Sequence, residues 1–380
     1  MKKLILFLLT LLCLLALCGC SGGDLEFSTG QVMAFSPSPE SDALYPSEPI
    51  SHTLITTKLG TYGVFSHGIN LNSPANVKYR LMRLEDGQWK SVAENGNTLR
   101  MNTLRLCSNE KGTLIVTSLT DKGISFGLFD EATGEFTQTL HRIGSHYNDY
   151  ICGIDPNRGE AGTVFAIATH KTLDRETVLL SFDVASREIS TQTFCKEHFP
   201  GAPGALIFDG SSRGHAIIGD DENGKLWYYT LSEELTVSEP VEIKSEAGKI
   251  FFVSAAPDGN GLLHVFCYTE GALRCLAVTP DGVVSEYSLP EFAVSASAFT
   301  APDGRVYFVS MSPGTTEGVI CRSEDGRWTE ELYFDLPGVP NVNYHHGISS
   351  TVGSNPEDSL WIVYLAEDRR EFVTAEILIN

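Results

Sequence analysis

"MRLEDGQW" at residues 82–89 returns as "CRSEDGRW" at residues 321–328, 239 residues further along the chain. In each copy an Asp-Gly pair separates two runs of strand-forming residues, and a tryptophan lies just inside the second run. Asp-Gly between such runs is the mark of a two-residue hairpin, because both central residues of that turn take positive φ. A phrase of this kind serves either as a site or as a repeated turn. The spacing of similar turns elsewhere in the chain decides between the two.

"APDG" at 256–259 recurs at 301–304, 45 residues on, and "TPDG" stands at 279–282. Around them lie short segments such as "GLLHVFCY" (261–268), "RVYFVSM" (305–311) and "SLWIVYL" (359–365), rich in β-branched and aromatic residues. No stretch sustains a helical period. One class of turn falls near residues 60, 112, 162, 214, 259, 304 and 357, a mean step of about 50. A second falls near 86, 132, 185, 233, 281 and 325, a mean step of about 48. Two interleaved turn series on one period describe a four-stranded unit repeated about an axis. They predict an all-β fold, a seven-bladed β-propeller over residues 50–380. With strands lettered A to D from the axis outward, the first series is the A–B turn and the second the C–D turn. A β-sandwich pair is the alternative, and it leaves the near-constant period unexplained. The repeated phrase then occupies the C–D turns of blades one and six.

The last unit ends one strand short, after "EFVTAEILIN" (371–380). A strand-like segment at 25–36 stands alone at the other end, ahead of a Pro/Ser-rich connection at 37–49. The segment is expected to supply the outer strand of blade seven, closing the ring without an unpaired joint.

The chain opens with Lys2-Lys3, an apolar run from Leu4 to Leu17, and Cys18-Gly19-Cys20. Such a run is short for a spanning helix of ~20 residues. Leu17-Cys18-Gly19-Cys20 resembles the lipobox of bacterial lipoproteins. Cys18 fits less well, because Leu17 stands where a small residue is needed. The resemblance implies a signal peptide over 1–19, a lipid on Cys20 and a tether over 20–24. The protein is then extracytoplasmic, anchored to the bacterial cell membrane by acyl chains contributing ~0.8 kcal/mol per buried methylene.

The net charge is −21, and losing two lysines with the signal makes it more negative. Such a chain repels phosphate backbones, which argues against a nucleic-acid partner. Cys107, Cys152, Cys195, Cys267, Cys275 and Cys321 are scattered without metal-ligand spacing. Cys267 and Cys275 flank a hairpin turn and form the one pair to test for a disulfide. The others are expected as buried free thiols. Asp220 to Gly224 lacks the alternating ligands and distal Glu of a calcium loop. No phosphate loop, dinucleotide fingerprint or nucleophile elbow occurs, so neither a cofactor nor a metal is expected.

Ser323-Glu324-Asp325-Gly326-Arg327-Trp328 is similar to the Asp box of sialidases and related propellers, Ser-x-Asp-x-Gly-x-Thr-Trp, with one residue fewer. Leu84 to Trp89 departs further, with Leu in the place of Ser. The resemblance implies that Asp86, Gly87, Trp89, Asp325, Gly326 and Trp328 brace turns on a face remote from any activity. It does not extend to the arginine triad and tyrosine nucleophile of sialidases, for which no motif aligns here.

Function is therefore sought on the opposite face, made by D–A and B–C connections. His52, His141, His146, His198, His345 and His346 map to D–A connections, and His67 and His170 to B–C connections. Only His215 and His264 map elsewhere. The densest stretches are "SHYNDY" (145–150) and "NYHH" (343–346). His146, Tyr147, Asn148, Asp149, Tyr344, His345, His346, His67 and His170 are the candidate ligand-binding residues. Rings that stack and amides that hydrogen-bond suit a glycan, a peptide or a protein surface. The expected function is a surface-tethered module that binds a ligand or protein. The alternative is a glycan-active hydrolase or lyase, which needs two carboxylates or a Tyr/His acid–base pair converging in one pocket.

Overall fold

The computed structural model describes residues 27–35, 53–67, 78–94, 104–120, 122–142, 147–170, 177–196, 204–220, 223–245, 250–269, 272–282, 284–287, 295–311, 314–324, 327–336, 338, 348–353, 359–366 and 371–379. These form seven four-stranded antiparallel sheets arranged as a β-propeller, with no helix among the described residues. Blade one is Leu54–Thr57, Gly60–His67, Lys78–Glu85 and Gln88–Glu94. Blade two is Arg105–Ser108, Thr113–Thr120, Gly123–Asp130 and Phe136–His141. Blade three is Tyr147–Asp155, Thr163–His170, Thr177–Asp183 and Ile189–Cys195. Blade four is Gly204–Phe208, Gly214–Asp220, Lys225–Leu231 and Val241–Ser245. Blade five is Ile250–Pro257, Leu263–Thr269, Ala272–Val278 and Val284–Tyr287. Blade six is Ser295–Thr300, Val306–Met311, Glu317–Glu324 and Arg327–Asp335.

Blade seven runs Ser349–Val352, Ser359–Leu365 and Phe372–Ile379 from the axis, and its outer strand is Phe27–Phe35. Phe27 pairs with Ile379 and Phe35 with Phe372, with a bulge between Thr29 and Val32. Residues 337 to 352 positions apart thus share one sheet, and the ring has no open edge at its joint.

The apolar residues gather in seven clusters, each spanning the boundary between two neighbouring blades. Every sheet is therefore covered on both faces. The second strand of a blade shows this best, since all seven residues of Ser359–Leu365 are buried. That is why such strands read as continuous apolar runs rather than as alternation.

The turns obey the same chemistry. Asp86 (φ 50°) and Gly87 (φ 72°) join Glu85 to Gln88 in a two-residue hairpin, the conformation that Asp tolerates and Gly adopts freely. Trp89 leaves that turn for the boundary of blades one and seven. Its Nε1 donates to Thr374 Oγ1 at 2.8 Å, and its ring meets Phe65 edge-on at 5.2 Å. Trp328 packs edge-on against Phe266 (5.7 Å) and Phe308 (6.4 Å), between blades five and six. Asp325 and Gly326 lie outside the described residues. The two "APDG" turns touch each other: Gly259 N donates to the Gly304 carbonyl at 2.8 Å. A Cβ on Gly304 would stand 2.9 Å from Gly259 Cα, so glycine is what allows these backbones to meet.

Candidate functional site

Antiparallel order gives the ring two faces. A–B and C–D turns lie on one, and D–A and B–C connections on the other. On the loop face, Tyr147, Asn148 and Asp149 open the inner strand of blade three, and Tyr147 is the Cα partner of His170. His67 ends a strand of blade one opposite Lys78. The backbone thus pairs Tyr147 with His170 and sets His67 two blades away. The side chains of these five residues, like Cys20, His146, Tyr344, His345 and His346 altogether, lie outside the described residues.

The turn face is organised by one kind of residue. Asn109, Asp209 and Asp258 each directly follow the inner strand of their blade. The Oδ1 of each accepts the amides two and four residues on: Lys111 and Thr113, Ser211 and Arg213, Asn260 and Leu262 (2.9–3.0 Å). One side chain thereby satisfies two turn amides that no strand could pair. In blades four and five the second oxygen faces a histidine six residues on. Asp209 Oδ2 lies 3.4 Å from His215 Nε2, and Asp258 Oδ2 lies 3.5 Å from His264 Nε2. His215 Nδ1 is also 2.8 Å from the Tyr228 hydroxyl, and the His264 ring meets Trp328 edge-on at 5.2 Å. Burial lowers the pKa of both histidines, the carboxylates opposing it. Burial pushes that of Tyr228 up to about 12. Both rings are buried and offer no surface to a ligand; the His215 set lies within blade four, and only the His264 ring reaches the next blade, at Trp328.

Blade three departs from this pattern. Its inner strand ends in Asp155, and Thr163 opens the next strand eight positions later. In blades four and five, Gly214 and Leu263 stand five positions after Asp209 and Asp258. The added residues bring Arg158 onto the carboxylate, with Nε 3.2 Å from Asp155 Oδ2. Asp155 Oδ1 accepts the Asn157 amide (3.1 Å) and the Ser212 hydroxyl (3.0 Å), the latter from blade four. Arg158 Nη1 donates to the Glu233 carbonyl at 2.6 Å, again in blade four. The guanidinium sits 5.5 Å from the centroid of the Phe165 ring. Its Nη2 is buried and has no hydrogen-bond partner among the described residues.

Arg158 lines a recess of about 550 Å³ between blades three and four, on the turn face. Asp183 and Glu188 supply carboxylates, Ser181 a hydroxyl, and Phe165 and Leu235 apolar wall. Gly159 (φ 73°) leaves the room: a Cβ there would stand 2.7 Å from Asp183 Oδ2. One cationic donor and two carboxylate acceptors beside an apolar wall in one recess suit a small hydroxyl-rich molecule. Sequence reasoning passed over this site because it counted histidines. The legible signal was length, "DPNRGEAG" (155–162) against "DGSSR" (209–213). No group of three or more His, Cys, Asp or Glu placed to hold a metal occurs among the described residues.

A second cavity, about 290 Å³, follows the axis and is walled by the inner strands of blades two to six. Cys107 and Cys152 line it, and burial raises the pKa of both thiols. Such thiols are poor nucleophiles. All six cysteines beyond Cys20 are free. Cys267 pairs with Arg274 and Cys275 with Phe266, so the two thiols point to opposite faces of blade five and cannot bond.

No protein-family model and no curated protein matches the sequence. Solved structures match the fold. The BP39L lectin from Burkholderia pseudomallei superposes with a TM-score of 0.63 at 12% identity, covering 85% of this chain and 95% of that one. A catalytically inactive virginiamycin B lyase from Staphylococcus aureus with quinupristin gives 0.59 at 13% identity, covering 92% and 99%. SapL1 lectin in complex with alpha methyl fucoside gives 0.51 at 12% identity, covering 77% and 98%. At these identities the likeness is one of propeller architecture alone.

Proposed function

We propose that the chain is a lipid-anchored, extracytoplasmic propeller that binds a glycan in the recess between blades three and four. The observation that carries this reading is Arg158. Asp155 and the Glu233 carbonyl fix the guanidinium in place, yet its Nη2 has no hydrogen-bond partner among the described residues, and two carboxylates line the same recess. A sugar ring can accept from the guanidinium, donate its hydroxyls to Asp183 and Glu188, and rest its apolar face on Leu235. The lectins of like fold lend support, SapL1 with its fucoside in particular. The lipobox-like segment ending in Cys20 supports the anchor.

A glycan array probed with the full chain, followed by calorimetry on the best ligand, tests the reading. Arg158→Met should weaken binding at least tenfold, about 1.4 kcal/mol, since a charge-assisted hydrogen bond is removed. Binding unchanged by this substitution, or no glycan bound at all, would sink it.

A second reading, a glycan-active enzyme on the loop face, draws on the Tyr147–His170 register pair. Release of product from the bound glycans, lost in His170→Ala and kept in Arg158→Met, would favour it instead.

A further inference from the structure

The place of the first strand in the ring bears on how an anchored propeller would stand. Strand Phe27–Phe35 is the outermost strand of blade seven. Inner strands run from the loop face to the turn face and directions alternate outward, so an outer strand begins at the turn face. Phe27, opposite Ile379, is that beginning. Only residues 21–26 separate Cys20 from Phe27, a stretch that reaches about 25 Å at full extension. In a ring of seven, the boundary of blades three and four lies diametrically across from blade seven. Tether and recess therefore occupy opposite poles.

Two observations orient the body on so short a tether. The net charge of −21 is repelled by an anionic bilayer surface, which disfavours laying a whole face of the disc against it. The large apolar side chains most exposed among the described residues are Val32, Leu59, Val241 and Tyr333. Val32 (40% exposed) on the closing strand and Tyr333 (54%) on the outer strand of blade six lie on adjacent strands, whereas Val241 (39%) stands singly on the outer strand of blade four. An aromatic and an aliphatic side chain at the tethered rim suit the headgroup boundary, where one end of a tyrosine is apolar and the other wet.

We propose that the propeller stands edge-on, the outer rim of blades six and seven against the membrane and the blade-three/four recess at the pole farthest from it. This rests on the anchoring of Cys20 and deepens the glycan reading. The ligand arrives from outside the cell, since a glycolipid headgroup of the same membrane cannot reach that pole.

The test uses the full lipidated chain in vesicles of phosphatidylcholine and anionic phosphatidylglycerol carrying spin-labelled headgroups, with a fluorophore on an added cysteine. Tyr333→Cys reports the rim, and Glu239→Cys, exposed in the C–D connection of blade four, reports the far pole. Ala34→Cys and Thr236→Cys, also exposed, repeat the comparison should either of the first pair fold poorly. The unsubstituted chain, labelled identically, supplies the background. The rim label should be quenched severalfold more than the polar one. Equal or reversed quenching, with mass spectrometry showing acyl chains on Cys20, overturns the posture and leaves the anchor standing. A chain that carries no acyl group on Cys20 overturns the anchor, and the posture with it.

Discussion

Four successive blades carry an Asx residue at the same corner of the turn face, and they differ in what its second side-chain atom meets. In blades four and five that atom is a carboxylate oxygen turned toward a buried histidine, His215 at 3.4 Å and His264 at 3.5 Å. In blade three it is an oxygen bound to Arg158 at 3.2 Å. In blade two it is the amide nitrogen of Asn109, which donates to the Ala161 carbonyl in the long loop of blade three (3.0 Å). A short turn with an imidazole six residues on closes against a buried ring. A longer turn replaces the imidazole with a cation that reaches across to blade four, and a recess opens beside it. Brace and site thus differ by loop length and one partner.

The largest effect should come from removing the carboxylate where it holds a cation. Asp155 is fully buried and bonds Arg158, Ser212 and the Asn157 amide together. Asp155→Ala strands a half-buried guanidinium, at a cost of about 3 kcal/mol in urea unfolding. Asp209→Ala exposes a turn and faces only a histidine that burial keeps from charging, so about 1 kcal/mol is expected. Equal losses in the two variants would show that blade three is a brace like its neighbours.

Gly159→Ala asks whether the recess needs its room. The new methyl would press on Asp183 Oδ2 in a backbone conformation (φ 73°) that side chains dislike, a cost near 1 kcal/mol to stability. Affinity for the ligand should fall about tenfold while the far-UV spectrum stays the same. Full affinity in this variant would mean that the ligand sits elsewhere.

The architecture was legible because a propeller repeats its turns. The period, the hairpin at Asp86-Gly87 and the solitary strand at the N-terminus each follow from residue type and spacing. The recess was not legible by the same means. The Asp155–Arg158 pair matters through two bonds into blade four, Arg158 to the Glu233 carbonyl and the Ser212 hydroxyl to Asp155, and no local pattern announces a partner 75 or 57 positions away. His215 and His264 looked incidental because their meaning lies in a spacing of six from an aspartate. That spacing has sense only once the aspartate is known to end a strand.

Acid should separate the two kinds of corner. Burial holds the His215 and His264 pKa below the usual 6.5, against the pull of Asp209 and Asp258. The unfolded chain then binds protons at a higher pH than the folded one, so stability falls as pH drops through 6.5 and is regained above it. His264→Phe should flatten the change in urea midpoint between about pH 7.5 and pH 5, whereas Gly159→Ala, which adds and removes no charge, should leave it as steep as in the parent chain. A slope untouched by His264→Phe would assign the acid sensitivity to other groups.

The smallest effect concerns the corner that supports the site from behind. Asn109 satisfies its own turn through Oδ1, so Asn109→Asp keeps both turn amides paired. What changes is the other atom, because a carboxylate oxygen would face the Ala161 carbonyl where an amide now donates to it. Lys111 Nζ, which donates to the neighbouring Glu160 carbonyl at 2.9 Å, offers partial compensation. The net cost should be about 0.5–1 kcal/mol, read as a small drop in thermal midpoint. The informative part is where that strain goes. Residues 160 and 161 belong to the loop that presents Arg158, so a loosened anchor should weaken ligand binding as well, by a factor of two or so in the same calorimetric titration. A loss of stability with affinity intact would mean that Asp155 and blade four alone hold Arg158, and that the corner in blade two is a brace and nothing more.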